Sequence, residues 1–189
     1  MATDAYPINT AGLITSLKEY EPDCSYIIID NACAPAYDDP QACRLDKRVS
    51  FAKALNVAAE TIKSGWMVMV SNDVLVTDPF VEFVNTLDPK VIYGKDGNKG
   101  YGRTWLDGWI YVMTKSVYNK VGGFDENFKA AGFEDADFCW RAEDVGVKIE
   151  IEKRLPFIHL RKHTRYGEPG FFDKRKENIK YLERKWELC

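Results

Sequence analysis

Residues 121–146 read VGGFDENFKAAGFEDADFCWRAEDVG, and this stretch decides how the rest of the chain is organised. Gly122 and Gly123 follow the short helical pattern of residues 114–121, where a left-handed residue closes a helix. Glu134, Asp135 and Asp137 then enter a second helix, over about 134–145, at the end whose dipole favours negative charge. Phe138, Ala142 and Val145 fall on one face of that helix, Gly146 ends it, and the strand-like run VKIEI follows.

Toward the N-terminus the same alternation continues. Residues 11–20 carry Leu13, Leu17 and Tyr20 at helical spacing, Pro22 forbids continuation, and SYIIID (25–30) reads as a short buried strand. A helix over 47–64 sets Val49, Ala52, Leu55, Ala59 and Ile62 on one face, and Gly65 stops it. The strand WMVMV (66–70) runs straight into SNDVLVTDP, as a buried strand does where it emerges at its carboxyl end. Ligands of open α/β sheets bind at such ends. KDGNKGYGR (95–103), with three glycines, reads as a mobile loop, and GWIYVM (108–113) as a strand. A last helix over about 173–187 turns Ile179, Leu182 and Trp186 inward and its lysines and arginines outward. These elements predict one α/β domain over residues 1–189, with a mainly parallel central sheet flanked by helices.

Composition agrees with a single packed core. The 189 residues are 46% hydrophobic and 29% charged, which excludes disordered, collagen-like and coiled-coil chains. No uninterrupted apolar run exceeds five residues, far short of the roughly 20 that cross a bilayer. MATDAYPINT carries neither the basic nor the apolar region of a secretory signal, so a cytoplasmic location is expected. Five cysteines without a CxxC pair argue against a zinc knuckle or a complete disulfide framework. The net charge of −3 is uneven: residues 153–189 hold 11 Lys+Arg and 5 Asp+Glu, leaving 15 and 24 for the rest. An acidic body argues against nucleic acid as a partner, while the basic tail suits phosphates or the anionic inner face of a membrane.

Three acidic stations are candidates for chemistry: Asp30 with Asn31, the Ser71-Asn72-Asp73 sequence, and the Glu134, Asp135, Asp137 cluster. Each of the first two follows a hydrophobic strand, so a parallel sheet would set both along one rim. By turn and dipole chemistry alone, Asp30 and Asp73 read equally as loop-initiating carboxylates, and the helix cluster as dipole matching.

VGGFDENF followed by GFEDADFCWRAEDVG resembles the corresponding block of the family 2 glycosyltransferases, which have the GT-A fold. IIIDNACAP (27–35) is similar to that family's strand ending in Asp, and NVAAETIKSGWMVMVSNDVLVTDP (56–79) to the block holding its DXD-type motif. The family's opening strand is almost absent here, and SND leaves Asp73 as the motif's only carboxylate.

The resemblance implies inverting, metal-dependent transfer of a hexose from a nucleotide sugar to a hydroxyl. Asp73 would be the first ligand of Mn²⁺ or Mg²⁺, with a late histidine, His159 or the competing His163, as a second. Asp135 would be the base for the acceptor hydroxyl, with Glu134 beside it touching a sugar; Asp137 would be structural. Asp30 and Asn31 would hold the nucleotide. Because Asp accepts and uracil N3 donates, UDP is expected, though a guanine N–H would also serve. Ser71 and Asn72 would orient the sugar or ribose, and Asp107, Gly108 and Trp109, near Trp105, would face the donor and acceptor sugars. Arg161, with Lys162 and Arg165, would close over the diphosphate. Trp140 and Arg141 would shape the acceptor pocket or pin the helix. The acceptor, whether glycan, lipid-linked or protein, stays open. Two alternatives remain at this point: a sugar nucleotidyltransferase on a similar fold, which the absence of a GxGxR-like opening disfavours, and a non-catalytic nucleotide- or glycan-binding module.

Overall fold

The computed structural model describes residues 7–160 and 170–188. Among the described residues six helices and ten strands follow one another as α1 (Pro7–Tyr20), β1 (Ile28–Asp30), β2 (Ala42–Arg44), α2 (Phe51–Glu60), β3 (Trp66–Val70), β4 (Val74–Val76) and α3 (Val81–Asn85). Then come β5 (Val91–Gly94), β6 (Gly97–Gly100), β7 (Arg103–Leu106), β8 (Ile110–Thr114), α4 (Lys115–Val121), α5 (Glu134–Asp144), β9 (Lys148–Ile151), β10 (Phe157–His159) and α6 (Phe171–Lys185). No helix among the described residues is long and apolar enough to cross a membrane.

The central sheet runs β3-β8-β5-β9, and its pairing corrects the expectation of a mainly parallel sheet. β8 is antiparallel to both β3 and β5, and only β5 and β9 are parallel. The cause lies in residues 95–103. They form not a loop but part of the hairpin β6–β7, which reverses the chain without a crossover helix, so β8 returns antiparallel. Tyr101 and Gly102 turn the hairpin at φ 51° and 72°, the left-handed pair that a two-residue turn needs. The glycine at 97 serves close packing: a Cβ there would lie 2.8 Å from the Trp105 carbonyl oxygen. Smaller pairings complete the fold, parallel β1–β2 and antiparallel β4–β10.

Both faces of the sheet are covered, which is why β8 is apolar without alternation. Tyr111 and Met113 enter a core with α2, α4, α5 and α6; Ile110 and Val112 enter a second core with Leu17, Phe80, Val84 and Phe157. Helix α2 is shorter than the 47–64 pattern predicts: Ser50 caps its start and it ends at Glu60, before Gly65. Ser50 Oγ accepts from Lys53 N at the start of α2, Thr114 Oγ1 accepts from Val117 N at the start of α4, and Gly122 closes α4 at φ 89°.

Candidate active site

Helix α5 is held from three sides. Asp137, fully buried, accepts from Arg141 Nε at 2.8 Å, Lys185 Nζ at 2.7 Å and Trp186 Nε1 at 3.0 Å, and so ties α5 to the end of α6. Arg141 in turn donates to the carbonyls of Val121 and Gly123 at 2.9 and 2.6 Å, pinning α5 to the end of α4. Leu106 N donates to Cys139 Sγ at 3.4 Å, joining α5 to β7. Asp137 is therefore structural, as its sequence position suggests, and Arg141 pins the helix. Trp140 is buried, ringed edge-on by Trp105 and Trp186.

The turn that leads into α5 takes a conformation side chains rarely adopt. Ala130 and Phe133 have φ of 52° and 71°, a cost of order 1–3 kcal/mol each that the surroundings must offset. Asn178 of α6 supplies the restraint. Its Nδ2 donates to the carbonyls of Lys129 and Gly132, and its Oδ1 accepts from Lys129 N, all within 2.9 Å. Sequence reading misses Asn178, because a buried amide on a basic helix has no local signature. Glu134 folds back on the same turn, accepting from Gly132 N.

Asp135 is the next residue on α5 and is placed differently. It stays partly exposed, receives the N–H of Ala136 at 2.9 Å, and lies against the backbone of Gly108. A Cβ at 108 would sit 3.2 Å from the Cβ of Asp135, so glycine there lets the carboxylate reach the chain. Desolvation raises the Asp135 carboxyl to about 6, with the Asp107 charge pushing the same way and backbone N–H donors opposing. Asp107 is itself fixed by Asn98 Nδ2 from the hairpin.

Residues 107–109 bring a second centre alongside. Trp109, next but one to Asp107, stacks on His159 with ring centres 5.0 Å apart and planes 15° apart. His159 Nε2 lies 3.2 Å from Asp73 Oδ1, both largely shielded from solvent. The backbone fixes this pair: β10 aligns His159 opposite Val74, Leu160 N donates to Asp73 O at 2.8 Å, and Ser71 N donates to Trp109 O at 2.9 Å. A carboxylate oxygen and an imidazole nitrogen about 3 Å apart are spaced as neighbouring ligands of one divalent cation with bonds near 2.1 Å. The donor set, one carboxylate and one imidazole, fits such an ion. No cluster of three His, Cys, Asp or Glu side chains suited to a metal occurs among the described residues. Asn72 is buried and its Nδ2 donates to Thr10 Oγ1 at 3.4 Å.

Asp30 and Asn31 hold a different loop. Asp30 is fully buried; its Oδ1 accepts from Cys33 N at 2.8 Å, and its Oδ2 from Tyr37 N at 3.1 Å and Arg44 Nη1 at 2.6 Å. Burial alone would raise this carboxyl, but those donors outweigh it and hold it below the ordinary range. Asn31 pairs with both backbone groups of Val49, like a strand neighbour. Arg161, Lys162, His163 and Arg165 lie outside the described residues.

A mixed α/β sheet of this order, with a carboxylate–imidazole pair at a strand end and a carboxylate cluster at a helix entry, has the GT-A fold seen in nucleotide-sugar glycosyltransferases. A family model described as the N-terminal domain of galactosyltransferase matches residues 100–164, from the β6–β7 hairpin through His159. Among solved structures, a Pyrobaculum calidifontis mannosyltransferase in complex with GDP-Man and Mn²⁺ superposes with TM-score 0.64 at 13% identity, over 94% of this chain and 59% of its own. Drosophila β1,4-galactosyltransferase 7 in complex with manganese, UDP-Gal and xylobiose superposes with TM-score 0.54 at 14% identity, over 85% and 67%. S. aureus TarS gives 0.61 at 12% identity, over 82% and 34%. The chain thus spans between about a third and two thirds of these structures, and at such identities the likeness shows the fold. A search of curated proteins by sequence gives no match.

Proposed function

We propose that the protein transfers a hexose from a nucleotide sugar, UDP-linked as first choice, to a hydroxyl acceptor with inversion at the anomeric carbon. One observation carries this reading: Asp135, poised near 6, sits beside residues 107–109, whose far end packs on the Asp73–His159 pair. A base and a diphosphate anchor are the two groups such a transfer needs. The complexes of the mannosyltransferase and galactosyltransferase with nucleotide sugars and manganese support it as analogues of fold.

In the proposed reaction the acceptor hydroxyl oxygen attacks the anomeric carbon and its proton passes to Asp135. The sugar–phosphate bond breaks and its electron pair leaves on the nucleoside diphosphate. A divalent cation held by Asp73 and His159 would supply Lewis-acid stabilisation of that leaving charge. Desolvation, with the Asp107 charge adding to it, keeps Asp135 basic enough to take a proton near neutral pH, and Gly108 gives the carboxylate its backbone seat. Trp109 holds the His159 ring flat so that Nε2 faces Asp73. Asp30 and Asn31, engaged with their own loop, would shape the nucleotide pocket through that loop and not by a free carboxylate.

The test is nucleotide release from a panel of UDP- and GDP-sugars, with Mn²⁺ and with chelator. Slow Mn²⁺-dependent release from one donor, accelerated by an acceptor saccharide, is expected. Tight nucleotide binding with no release from any donor would favour a binding module instead.

A further inference from the structure

The sheet is interrupted between β1 and β3. Among the described residues β1 pairs only with β2, and β3 only with β8. On β3 the bonds to β8 alternate: Gly65 O accepts from Lys115 N, and Ser71 N donates to Trp109 O. In that register Met67 and Met69 bond β8, and the backbone groups of Trp66, Val68 and Val70 point the other way. On β1, Ile28 N donates to Gln41 O and Asp30 O accepts from Leu45 N, so Ile29 turns its N–H and C=O away from β2. Both edges, unpaired among the described residues, line one cavity of about 510 Å³. Its walls are Leu13 and Leu17 of α1 on one side and Leu55 and Ala58 of α2 on the other.

We propose that this slot takes an extended, apolar peptide strand of about five residues, which joins β1 to β3 in one continuous sheet. The chemistry of the walls selects the occupant. A lipid chain or a small apolar molecule would cover the leucines but leave two rows of backbone N–H and C=O groups unpaired, at a cost for each. A strand pairs both rows. Because α1 and α2 contribute to opposite cores of the sheet, both faces of the incoming strand meet apolar side chains. Its residues should therefore be Val or Ile at successive positions, without the alternation of a half-exposed strand. Five residues at about 3.4 Å each match the length of β3. Asn72 and Thr10 also line the cavity, so one end of the strand would lie beside the residue preceding Asp73.

A peptide of alternating Val and Ile, five residues long and flanked by lysine pairs for solubility, tests this with the chain as it stands. At about 100-fold its Kd it should raise the melting temperature by roughly 5–10 °C. Hydrogen exchange should slow on the order of tenfold at Ile29, Val68 and Val70, while the Met67 and Met69 amides, already bonded to β8, change little. The same peptide N-methylated at alternate residues keeps its apolar surface and loses its donors, and should bind at least about tenfold more weakly. Equal binding of the two peptides, or no added protection, would overturn the strand assignment. Protection of these amides in the protein alone, with light scattering showing two chains, would give the slot to a second copy and likewise overturn it.

Discussion

Asp30 at the end of β1 and Asp135 at the start of α5 are both drawn out of bulk water, and they titrate in opposite directions. Asp30 receives two backbone N–H groups and a guanidinium within 3.1 Å, so its negative charge is stabilised more than burial penalises it. Asp135 receives backbone N–H groups but no cation and has Asp107 for a neighbour, so its charge is held at a cost. The difference separates a carboxylate whose charge the fold holds fast from one that the fold leaves easier to protonate. Asp137, two residues beyond Asp135 on the same helix, belongs with Asp30: its three partners leave it no chemistry to offer.

The contrast can be broken most forcefully by neutralising each carboxylate. Asp135→Asn should reduce sugar transfer by about 10²–10⁴-fold, measured by nucleotide release with saturating acceptor, and leave nucleotide binding within a few-fold of wild type. Loss of binding together with turnover would place Asp135 in the fold instead. Asp30→Asn should do the reverse and destabilise the protein by about 1–3 kcal/mol in urea, because the buried carboxylate that holds Cys33 N, Tyr37 N and the half-exposed Arg44 guanidinium is lost.

The same two residues contribute to the pH dependence of stability with opposite sign. Asp30 has a lowered carboxyl, so its contribution is complete above the ordinary carboxylate range and is lost as pH falls through the folded value. Asp135 has a raised one, so its contribution is complete below about 4 and is lost as pH rises through about 6. Asp135→Asn should therefore flatten the decline in melting temperature between about pH 4 and 6, and make the protein slightly more stable at pH 7. A steeper decline in that variant would contradict the assignment. The smallest effect belongs to Asp107→Asn. With one repelling charge gone, the acid limb of kcat/KM, expected near pH 6 in the wild type, should move down by less than about one pH unit. An unchanged limb would show that burial alone sets it.

Much of this architecture was legible in the chain. WMVMV forms a strand with the bounds its composition suggests, and the GG pair closes α4 because only left-handed backbone follows there. The ED helix and its acidic entry were also legible, since dipole matching is a local rule. What escaped was set by contacts distant in sequence. The glycines of residues 97–102 signal mobility locally, yet they are there to let a hairpin lie against Trp105 and Ile151. The engagement of Asp30 depends on Arg44, 14 residues on, and that of the α5 turn on Asn178, 46 residues beyond Gly132. No short-range pattern announces either pairing. The meeting of His159 with Asp73 needed the β4–β10 pairing, and VLV after the SND sequence gave little sign of a strand.

Calorimetric titration of UDP with and without Mn²⁺, on the wild type and on Asp73→Ala, tests the nucleotide-sugar site most directly. Binding at least about tenfold tighter with Mn²⁺ in the wild type, and independent of Mn²⁺ in Asp73→Ala, is the predicted result. Equal affinity with and without the ion in the wild type, or no binding of UDP or GDP under either condition, would contradict it.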